Sequence, residues 1–137
     1  SPGWPGMKIA LGLGCDRDTP ATTIARCISE ALAVCGATHA DVWAVASIDL
    51  KADEAGLLQV IEQHGWPCLF YPAAALAAVD VPNPSETVRK YTGTPSVSEA
   101  AAILAAGADQ SHLILEKHKL RGPDGRNATV SIARMPL

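Results

Sequence analysis

Two groups of glycine and charged residues each follow directly on an apolar segment. The sequence G-L-G-C-D-R at 12–17 overlaps the end of the apolar segment 8–13. The sequence D-L-K-A-D-E-A-G at 49–56 follows the apolar run 42–48. Backbone N–H groups in a glycine turn ahead of a helix attract anions, and Arg17 adds a positive charge. The first group is not a G-x-G-x-x-G fingerprint, because Arg17 replaces the third glycine, and it lacks the G-K-[ST] of a phosphate loop. An anion site and a tight turn without a ligand both remain open.

The second group carries side chains suited to acid–base chemistry. Asp49 or Glu54 can act as a general acid or base, and the ammonium of Lys51 can hold a carboxylate. The alternative is that Asp49 or Asp53 only caps the helix that follows. The spacing favours neither interpretation.

Two further groups lie in the second half of the chain. G-T-P-S-V-S-E at 93–99 places hydroxyl groups at the start of a helix, and Ser96 with Glu99 matches the capping box, so plain capping is the alternative to ligand binding. A basic end on a chain of net charge −3 suits a small polyanion better than DNA, and a solvated hairpin tip is the alternative. Five of the eleven basic residues form this end: Lys117, Lys119, Arg121, Arg126 and Arg134.

Hydrophobic spacing predicts strands that alternate with helices. Thr19 is the candidate N-cap of the first helix, with Pro20 in its first position, and Gly36 ends it. A second helix is expected near 53–64, a short helix capped by Ser85, and an alanine-rich helix that starts at Ser96 and ends at Gly107. The predicted strands are 8–13, 42–48, 68–71, 112–116 and 129–134, and 72–84 is expected to be a loop with one helical turn.

This order of elements predicts an α/β fold in a single three-layer domain, with a mainly parallel sheet and helices on both faces. The turn signal G-P-D-G at 122–125 joins the last two strands in a C-terminal antiparallel hairpin. The alternation in T-V-S-I-A-R at 129–134 is typical of a half-exposed edge strand. Ligands of such folds bind beyond the carboxyl ends of the strands, where the polar groups after the first two strands are expected to meet.

Length and composition indicate one compact domain. The chain has 137 residues, 48% of them hydrophobic, and we assign 7–137 to the domain and 1–6 to an extension of natural or cloning origin. The net charge of −3 argues against nucleic-acid binding. The longest uncharged apolar stretch, 65–79, contains two prolines and is shorter than the roughly 20 residues of a membrane helix. No signal peptide is evident, so we expect a cytoplasmic protein without a membrane partner.

Cysteine and histidine spacing predicts neither a metal site nor a cofactor. The four cysteines form no C-x-x-C pair and the four histidines form no H-x-x-x-H pair. Cys27 and Cys35, eight residues apart on one helix face, are expected to pack in the core, whereas Cys15 lies in the glycine-bearing loop. No Ser-His-Asp or Cys-His arrangement is apparent from the spacing.

Taken together, these groups resemble a known family. The blocks are G-L-G-C-D-R at 12–17, A-S-I-D-L-K-x-x-E-x-G-L at 46–57, P-S-E-T-V at 84–88, G-T-P-S-V-S-E-A-A-A at 93–102, L-E-K-H-K at 115–119 and T-V-S-I-A-R at 129–134. In this order they closely resemble the CobE family, the stand-alone relatives of the C-terminal domain of the cobalamin-biosynthesis protein CbiG. The resemblance extends from about Met7 to Arg134.

The resemblance implies a function in cobalamin (vitamin B12) biosynthesis. CbiG-type proteins open the lactone of a cobalt-precorrin and release acetaldehyde, while CobE-type proteins accompany the oxygen-dependent route. The resemblance covers only the C-terminal type of domain, and Asp16 stands where relatives often have a second basic residue. Carried over to this sequence, the family pattern implies site residues at Gly12, Gly14, Cys15, Arg17, Asp49, Lys51, Glu54, Ser85, Gly93, Pro95, Ser96, Glu99, Lys117 and Lys119.

Three hypotheses follow. The first is a carrier or accessory protein that binds a precorrin or hydrogenobyrinic-acid-type molecule, whose carboxylate rim Arg17, Lys51 and the Lys117/Lys119 pair would meet. The second is an enzyme acting on the macrocycle, with Asp49 or Glu54 as general acid or base and helix N-termini stabilising oxyanions. The third is a docking partner of other pathway enzymes, with the expected edge strand 129–134 as one docking surface.

Overall fold

The structure, a computed structural model, describes residues 7–82 and 97–136. Five strands and four helices lie in these ranges, and single 3-10 turns precede β2, follow β2 and precede β4. In chain order the elements are β1 Ile9–Cys15, α1 Ala21–Val34, β2 Val42–Ile48, α2 Ala55–His64, β3 Cys68–Tyr71, α3 Ala73–Ala77, α4 Val97–Ala106, β4 Leu113–Arg121 and β5 Asn127–Arg134.

The strands form one mixed sheet in the order β3-β2-β1-β5-β4. β1, β2 and β3 are parallel, whereas β5 is antiparallel to both β1 and β4. The predicted α/β fold and C-terminal hairpin are confirmed, although antiparallel pairings are as numerous as parallel ones. Most of the apolar residues of β1 and β2 are buried because helices cover both faces of the sheet, and Trp43 near the start of β2 is the exposed exception within these two strands.

The two faces of the sheet have cores of different residue size. Large side chains of β1 and β5, such as Leu11 and Ile132, pack with Ile28 of α1 and Leu57 of α2. On the opposite face, which α4 covers, larger side chains such as Ile48 and Ile103 pack near β2. Where α4 crosses β1 and β5 the side chains are small, and Ala10, Ala102, Ala106 and Ala133 form one buried cluster there. Small residues let the backbone of α4 approach the sheet closely.

That approach is closest at Gly12, in the middle of β1. A Cβ atom on Gly12 would lie 1.7 Å from the carbonyl oxygen of Ser98 and 2.7 Å from the backbone nitrogen of Ala102. Gly56, in the first turn of α2, has a similar function, because a Cβ there would lie 2.3 Å from the carbonyl oxygen of Thr19. The two glycines let α4 pack on the sheet and α2 pack against the start of α1.

The start of α1 differs by one residue from the prediction. Pro20 occupies the N-cap position and α1 begins at Ala21, so Thr19 is not the cap. The Thr19 hydroxyl instead donates to the carbonyl oxygen of Asp16 at 2.7 Å, which folds the preceding loop back on itself. Helix α2 likewise begins at Ala55 after Glu54 as N-cap, so neither Asp49 nor Asp53 caps it.

Residues 129–134 form a strand, but the prediction that this strand lies at an edge of the sheet is wrong. β5 pairs with β1 on one side and β4 on the other, and its side chains from 130 to 133 are buried. β4 is the edge strand and runs to Arg121, five residues beyond the predicted end. A docking surface on the edge of strand 129–134 is therefore excluded, because both of its edges are paired.

Several expectations fall outside the described residues: the short helix capped by Ser85, and the site residues Gly93, Pro95 and Ser96. Within 7–82 and 97–136, no helix is long and apolar enough to cross a bilayer. The same ranges contain no group of three or more histidine, cysteine or acidic residues placed to hold a metal ion.

Candidate functional site

Most of the site candidates that the structure describes lie at or near one edge of the sheet, here called the carboxyl edge. The parallel strands end there at Cys15, Ile48 and Tyr71. The hairpin reaches the same edge, because Cys15 pairs with Ala128 and Arg121 pairs with Asn127. The end of β4 and the start of β5 therefore lie beside the loops that follow β1 and β2.

On the α2 side of this edge, Arg17 joins the two loops. Its Nη1 and Nη2 atoms each lie 2.8 Å from a carboxylate oxygen of Asp53, in a bidentate pair. Nη1 is also 3.4 Å from Oε2 of Glu54. Oε1 of Glu54 accepts a hydrogen bond of 3.1 Å from the backbone N–H of Asp18, a non-glycine residue with φ of 63°. These contacts hold the first loop in its unusual backbone conformation.

Glu54 is enclosed and Asp49 is open to solvent. The Glu54 side chain is 3% exposed, and the ammonium of Lys51 lies 3.6 Å from its Oε2. That oxygen has no hydrogen bond from the described residues, only the two nearby cations. Asp49 begins the exposed 3-10 turn after β2. Of the two acid–base candidates, Glu54 is engaged in joining loops, whereas Asp49 is free to meet a ligand.

Asp16 ties the first loop to the hairpin. Its Oδ2 accepts hydrogen bonds from the backbone N–H of Asn127 at 2.7 Å and from its side-chain amide at 2.9 Å. Nε of Arg126 donates to the carbonyl oxygen of Arg17 at 3.0 Å. Asp16 therefore has a structural function, because it joins the first loop to the start of β5. Sequence reasoning missed Asn127 and Arg126 as partners because the pairs are about 110 residues apart.

On the α4 side of the edge, Lys117 and Glu99 form an ion pair of 3.1 Å between Nζ and Oε1. The Glu99 side chain is 1% exposed in the first turn of α4, and Lys117 is 28% exposed. A bulge in β4 makes the pair possible. Leu115 pairs with Ile132 and His118 pairs with Val130, so β4 has one extra residue between these positions and directs Lys117 to the α4 face.

A buried pair of hydroxyl groups lies beside this ion pair. Oγ of Ser131 lies 2.8 Å from Oγ of Ser98 and donates to the carbonyl oxygen of Glu116, next to Lys117. Both serines are at most 4% exposed. Ser131 satisfies the carbonyl group of Glu116 at the bulge. Nothing in the sequence pattern distinguishes Ser131 from a solvent-exposed residue.

A row of residues on the same face forms an open floor next to the pair. Gly14, Thr129 and Lys119 are paired across β1, β5 and β4. Among the described residues, a Cβ on Gly14 would meet no atom closer than Cβ of Thr129, at 3.8 Å, so these residues leave room above this glycine, unlike above Gly12. Lys119 is exposed at the end of the row.

The structure thus sorts the described site candidates into two groups. Gly14, Glu99, Lys117 and Lys119 lie on the α4 face, and Cys15, Arg17, Lys51 and Glu54 lie toward α2, with Asp49 at the start of the turn after β2. Gly12 lies under α4, where close packing accounts for the glycine.

The Cys15 thiol is expected to react slowly. Burial raises the pKa of this thiol, Glu54 and Asp16 raise it further, and Lys51 opposes them. Only the thiolate attacks, so we expect iodoacetamide at pH 7.5 to alkylate Cys15 at least about tenfold more slowly than glutathione. Peptide mass spectrometry over time gives the rate, and the urea-unfolded chain is the control. Alkylation of the folded protein at the rate of glutathione would contradict the burial argument.

Fold and site together define a single α/β domain whose charged side chains gather where parallel strands and a C-terminal hairpin meet. The family described as cobalamin synthesis G C-terminus matches residues 9–133, and the chain belongs to it. Protein CobE from Sinorhizobium sp is 40% identical over 114 residues, which cover 82% of this chain and 73% of CobE. The chain is a cobalamin-biosynthesis protein of this CobE and CbiG C-terminal family, as the resemblance predicted.

Solved structures agree with this assignment. A crystal structure of CobE, a protein from the cobalamin biosynthetic pathway, has a TM-score of 0.78 at 31% identity and covers 95% of this chain and 92% of that one. The cobalamin biosynthesis protein ChiG from Agrobacterium tumefaciens has a TM-score of 0.63 at 29% identity, over 91% and 96% of the two chains.

A longer relative has an assigned reaction. The cobalt-precorrin-5A hydrolase of Priestia megaterium is 39% identical over 128 residues. The match covers 93% of this chain but 32% of the hydrolase, so the chain spans about a third of that protein.

Proposed function

We propose that this domain binds a corrinoid intermediate with carboxylate side arms, as a carrier or an accessory to the enzymes that modify the ring. The observation that carries the proposal is Lys117, a partly exposed ammonium that the buried Glu99 holds at the carboxyl edge. A corrinoid precursor is a large flat ring edged with carboxylates, and a cation fixed beside an open floor suits such a rim.

The ammonium of Lys117 has donors to spare. It carries three N–H groups, and within 7–82 and 97–136 the contact with Oε1 of Glu99 accounts for one of them. Because Glu99 lies in the first turn of α4, the lysine is fixed relative to both the helix and the sheet. A ligand carboxylate would then meet a cation that loses little side-chain freedom on binding.

The open row beside the pair would receive the body of the ligand. Gly14 leaves room above β1, and Lys119 at the end of the row supplies a second cation. Arg17 is a weaker candidate than these lysines, because Asp53 already engages both of its Nη atoms. We therefore assign the main carboxylate contacts to Lys117 and Lys119.

A second candidate is a part in hydrolysis of the macrocycle. It rests on the 39% identity with a cobalt-precorrin-5A hydrolase. If the domain takes part in that chemistry, Asp49 is the better acid–base candidate, because Glu54 is buried among the contacts that join the loops.

A visible-absorption titration with hydrogenobyrinic acid tests the main proposal. We expect a spectral shift that saturates, and Lys117→Ala should raise the Kd about tenfold or more, since a charge-assisted hydrogen bond contributes about 1.5–3 kcal/mol. Lys119→Ala should raise it less, because that side chain is exposed. Lys8→Ala is the matched control: Lys8 lies at the opposite end of β1, over the ring of Trp43, and its loss should leave the Kd unchanged.

Mass spectrometry of the recovered pigment separates the two candidates. An unchanged mass with a saturating shift supports a binding function, and a changed mass supports the enzyme, with Asp49→Asn expected to abolish the change. No shift at high micromolar protein, with hydrogenobyrinic acid or with earlier precorrins, would overturn the binding proposal.

A further inference from the structure

We infer that His118 is a positioning residue, which fixes the bulged edge strand β4 so that Lys117 and Lys119 face the ligand. The inference rests on the proposed function and names a residue that contacts no part of the proposed ligand surface. His118 lies between the two lysines in L-E-K-H-K, but its side chain points to the other face of the sheet, toward α1.

The side chain of His118 is held by a carboxylate. Its Nε2 lies 2.9 Å from Oε1 of Glu30 on α1, and Glu30 also accepts from Nε of Arg26 at 3.2 Å. The contact with His118 lowers the pKa of Glu30, which keeps the carboxylate ionised. An ionised carboxylate only accepts hydrogen bonds, so Nε2 of His118 carries the proton and donates it.

The backbone of His118 is held by the same helix. Sγ of Cys27 lies 3.4 Å from the carbonyl oxygen of His118. Burial raises the pKa of the Cys27 thiol to about 12, so the thiol keeps its proton and is the donor in this contact. α1 therefore binds both the imidazole and the carbonyl group of one residue in β4.

The contacts between α1 and His118 lie next to the bulge, where the register of β4 is most easily shifted. Among the described strands β4 lies at an edge and pairs with β5 alone, and the bulge immediately precedes His118. A bulge that moved by one residue would turn Lys117 toward α1 and separate it from Glu99. The contact with Glu30 opposes this movement, because a shifted register would direct the imidazole away from α1.

The first experiment compares His118→Ala with His118→Gln in the hydrogenobyrinic acid titration. The glutamine amide nitrogen can replace Nε2 as the donor to Glu30. We expect His118→Ala to raise the Kd about tenfold, as loss of Lys117 does, and His118→Gln to stay within about twofold of the wild type. Arg26→Ala is the control, because it removes the other partner of Glu30 and leaves the contact with His118.

The second experiment needs no ligand. Reductive methylation with formaldehyde and cyanoborohydride, followed by peptide mass spectrometry, gives the reactivity of Lys117 relative to Lys8. We expect His118→Ala to raise this ratio about fivefold, because the ion pair with Glu99 opens more often, and His118→Gln to restore it. Circular dichroism of both variants confirms that the folded protein is being compared.

The two experiments separate the inference from the proposed function. If the wild type does not bind the pigment, the proposed function fails, while the methylation ratio still decides the position of Lys117. If the ratio is the same in the wild type, His118→Ala and His118→Gln, the inference is overturned even when the pigment binds. Equal losses in the alanine and glutamine variants also overturn it, since the hydrogen bond to Glu30 would then have no part.

Discussion

Replacing Gly12 with alanine is expected to lower the free energy of unfolding by more than about 3 kcal/mol, or to prevent folding, because the added methyl group has no space. The atoms in its way are backbone atoms of α4: the carbonyl oxygen of Ser98 at 1.7 Å and the nitrogen of Ala102 at 2.7 Å. No side-chain rotation relieves these contacts. The whole helix would have to move away from β1, and the buried alanine cluster beneath it would lose its packing.

Urea denaturation followed by circular dichroism measures this loss, and Gly14→Ala is the matched control. Gly14 lies two residues further along the same face of the same strand, but the nearest atom to its added Cβ would be 3.8 Å away. We expect Gly14→Ala to stay within about 0.5 kcal/mol of the wild type. Similar losses of stability in the two variants would contradict the packing explanation of Gly12. They would indicate instead that β1 requires glycine at both positions.

Removal of the Lys117 ammonium is the second change with a large expected effect. Lys117→Met should lower the free energy of unfolding by about 2–3 kcal/mol, because the buried Glu99 carboxylate loses the cation 3.1 Å from its Oε1. This loss of stability is smaller than the loss expected when a fully buried ion pair is broken, because Lys117 is 28% exposed and water screens part of the attraction.

A double-mutant cycle checks this prediction. The variant Lys117→Met with Glu99→Gln removes both charges, and we expect it to regain at least half of the stability that Lys117→Met loses. Urea denaturation of the four proteins at neutral pH gives the coupling free energy. Additive losses in the double variant would show that the two charges do not stabilise each other across α4 and β4.

Two of the parallel strands were predictable to the residue. β2 and β3 occupy Val42–Ile48 and Cys68–Tyr71, the predicted bounds, because each is a continuous apolar run that ends at a polar residue or a proline. The meeting of the first two loops also followed from the sequence, since parallel strands place their carboxyl ends together. These predictions depend on local pattern and on one general rule of sheet topology.

The hairpin was predicted less well, for physical reasons. The bulge in β4 interrupts the two-residue alternation, so the polar stretch after Glu116 reads as a loop although it is strand. In β5, Ser131 reads as a solvent-facing residue, but its hydroxyl lies fully buried against α4 and Ser98. Small polar residues at a close helix–sheet contact have the same sequence pattern as an exposed edge.

The sequence and the family resemblance named candidate site residues but not the contacts that these residues make. The family resemblance implied Gly12 and Gly14 as equivalent site glycines, yet α4 packs on only one of them. It also implied Arg17 without indicating that Asp53 engages it, and Lys117 without indicating that Glu99 holds it. Such pairings depend on how distant parts of the chain pack together. The local spacing of residues in a single sequence does not indicate them.

The position of β5 between β1 and β4 has a consequence for folding during synthesis on the ribosome. Until residues 127–134 leave the ribosome, β1 lacks one neighbour and β4 lacks the strand that it pairs with among the described residues. The contact between β1 and β5 joins parts of the chain more than 110 residues apart, such as Cys15 and Ala128, so it forms late and slowly. This domain is therefore expected to remain unfolded until β5 has been synthesised, and to fold cooperatively once β5 enters the sheet.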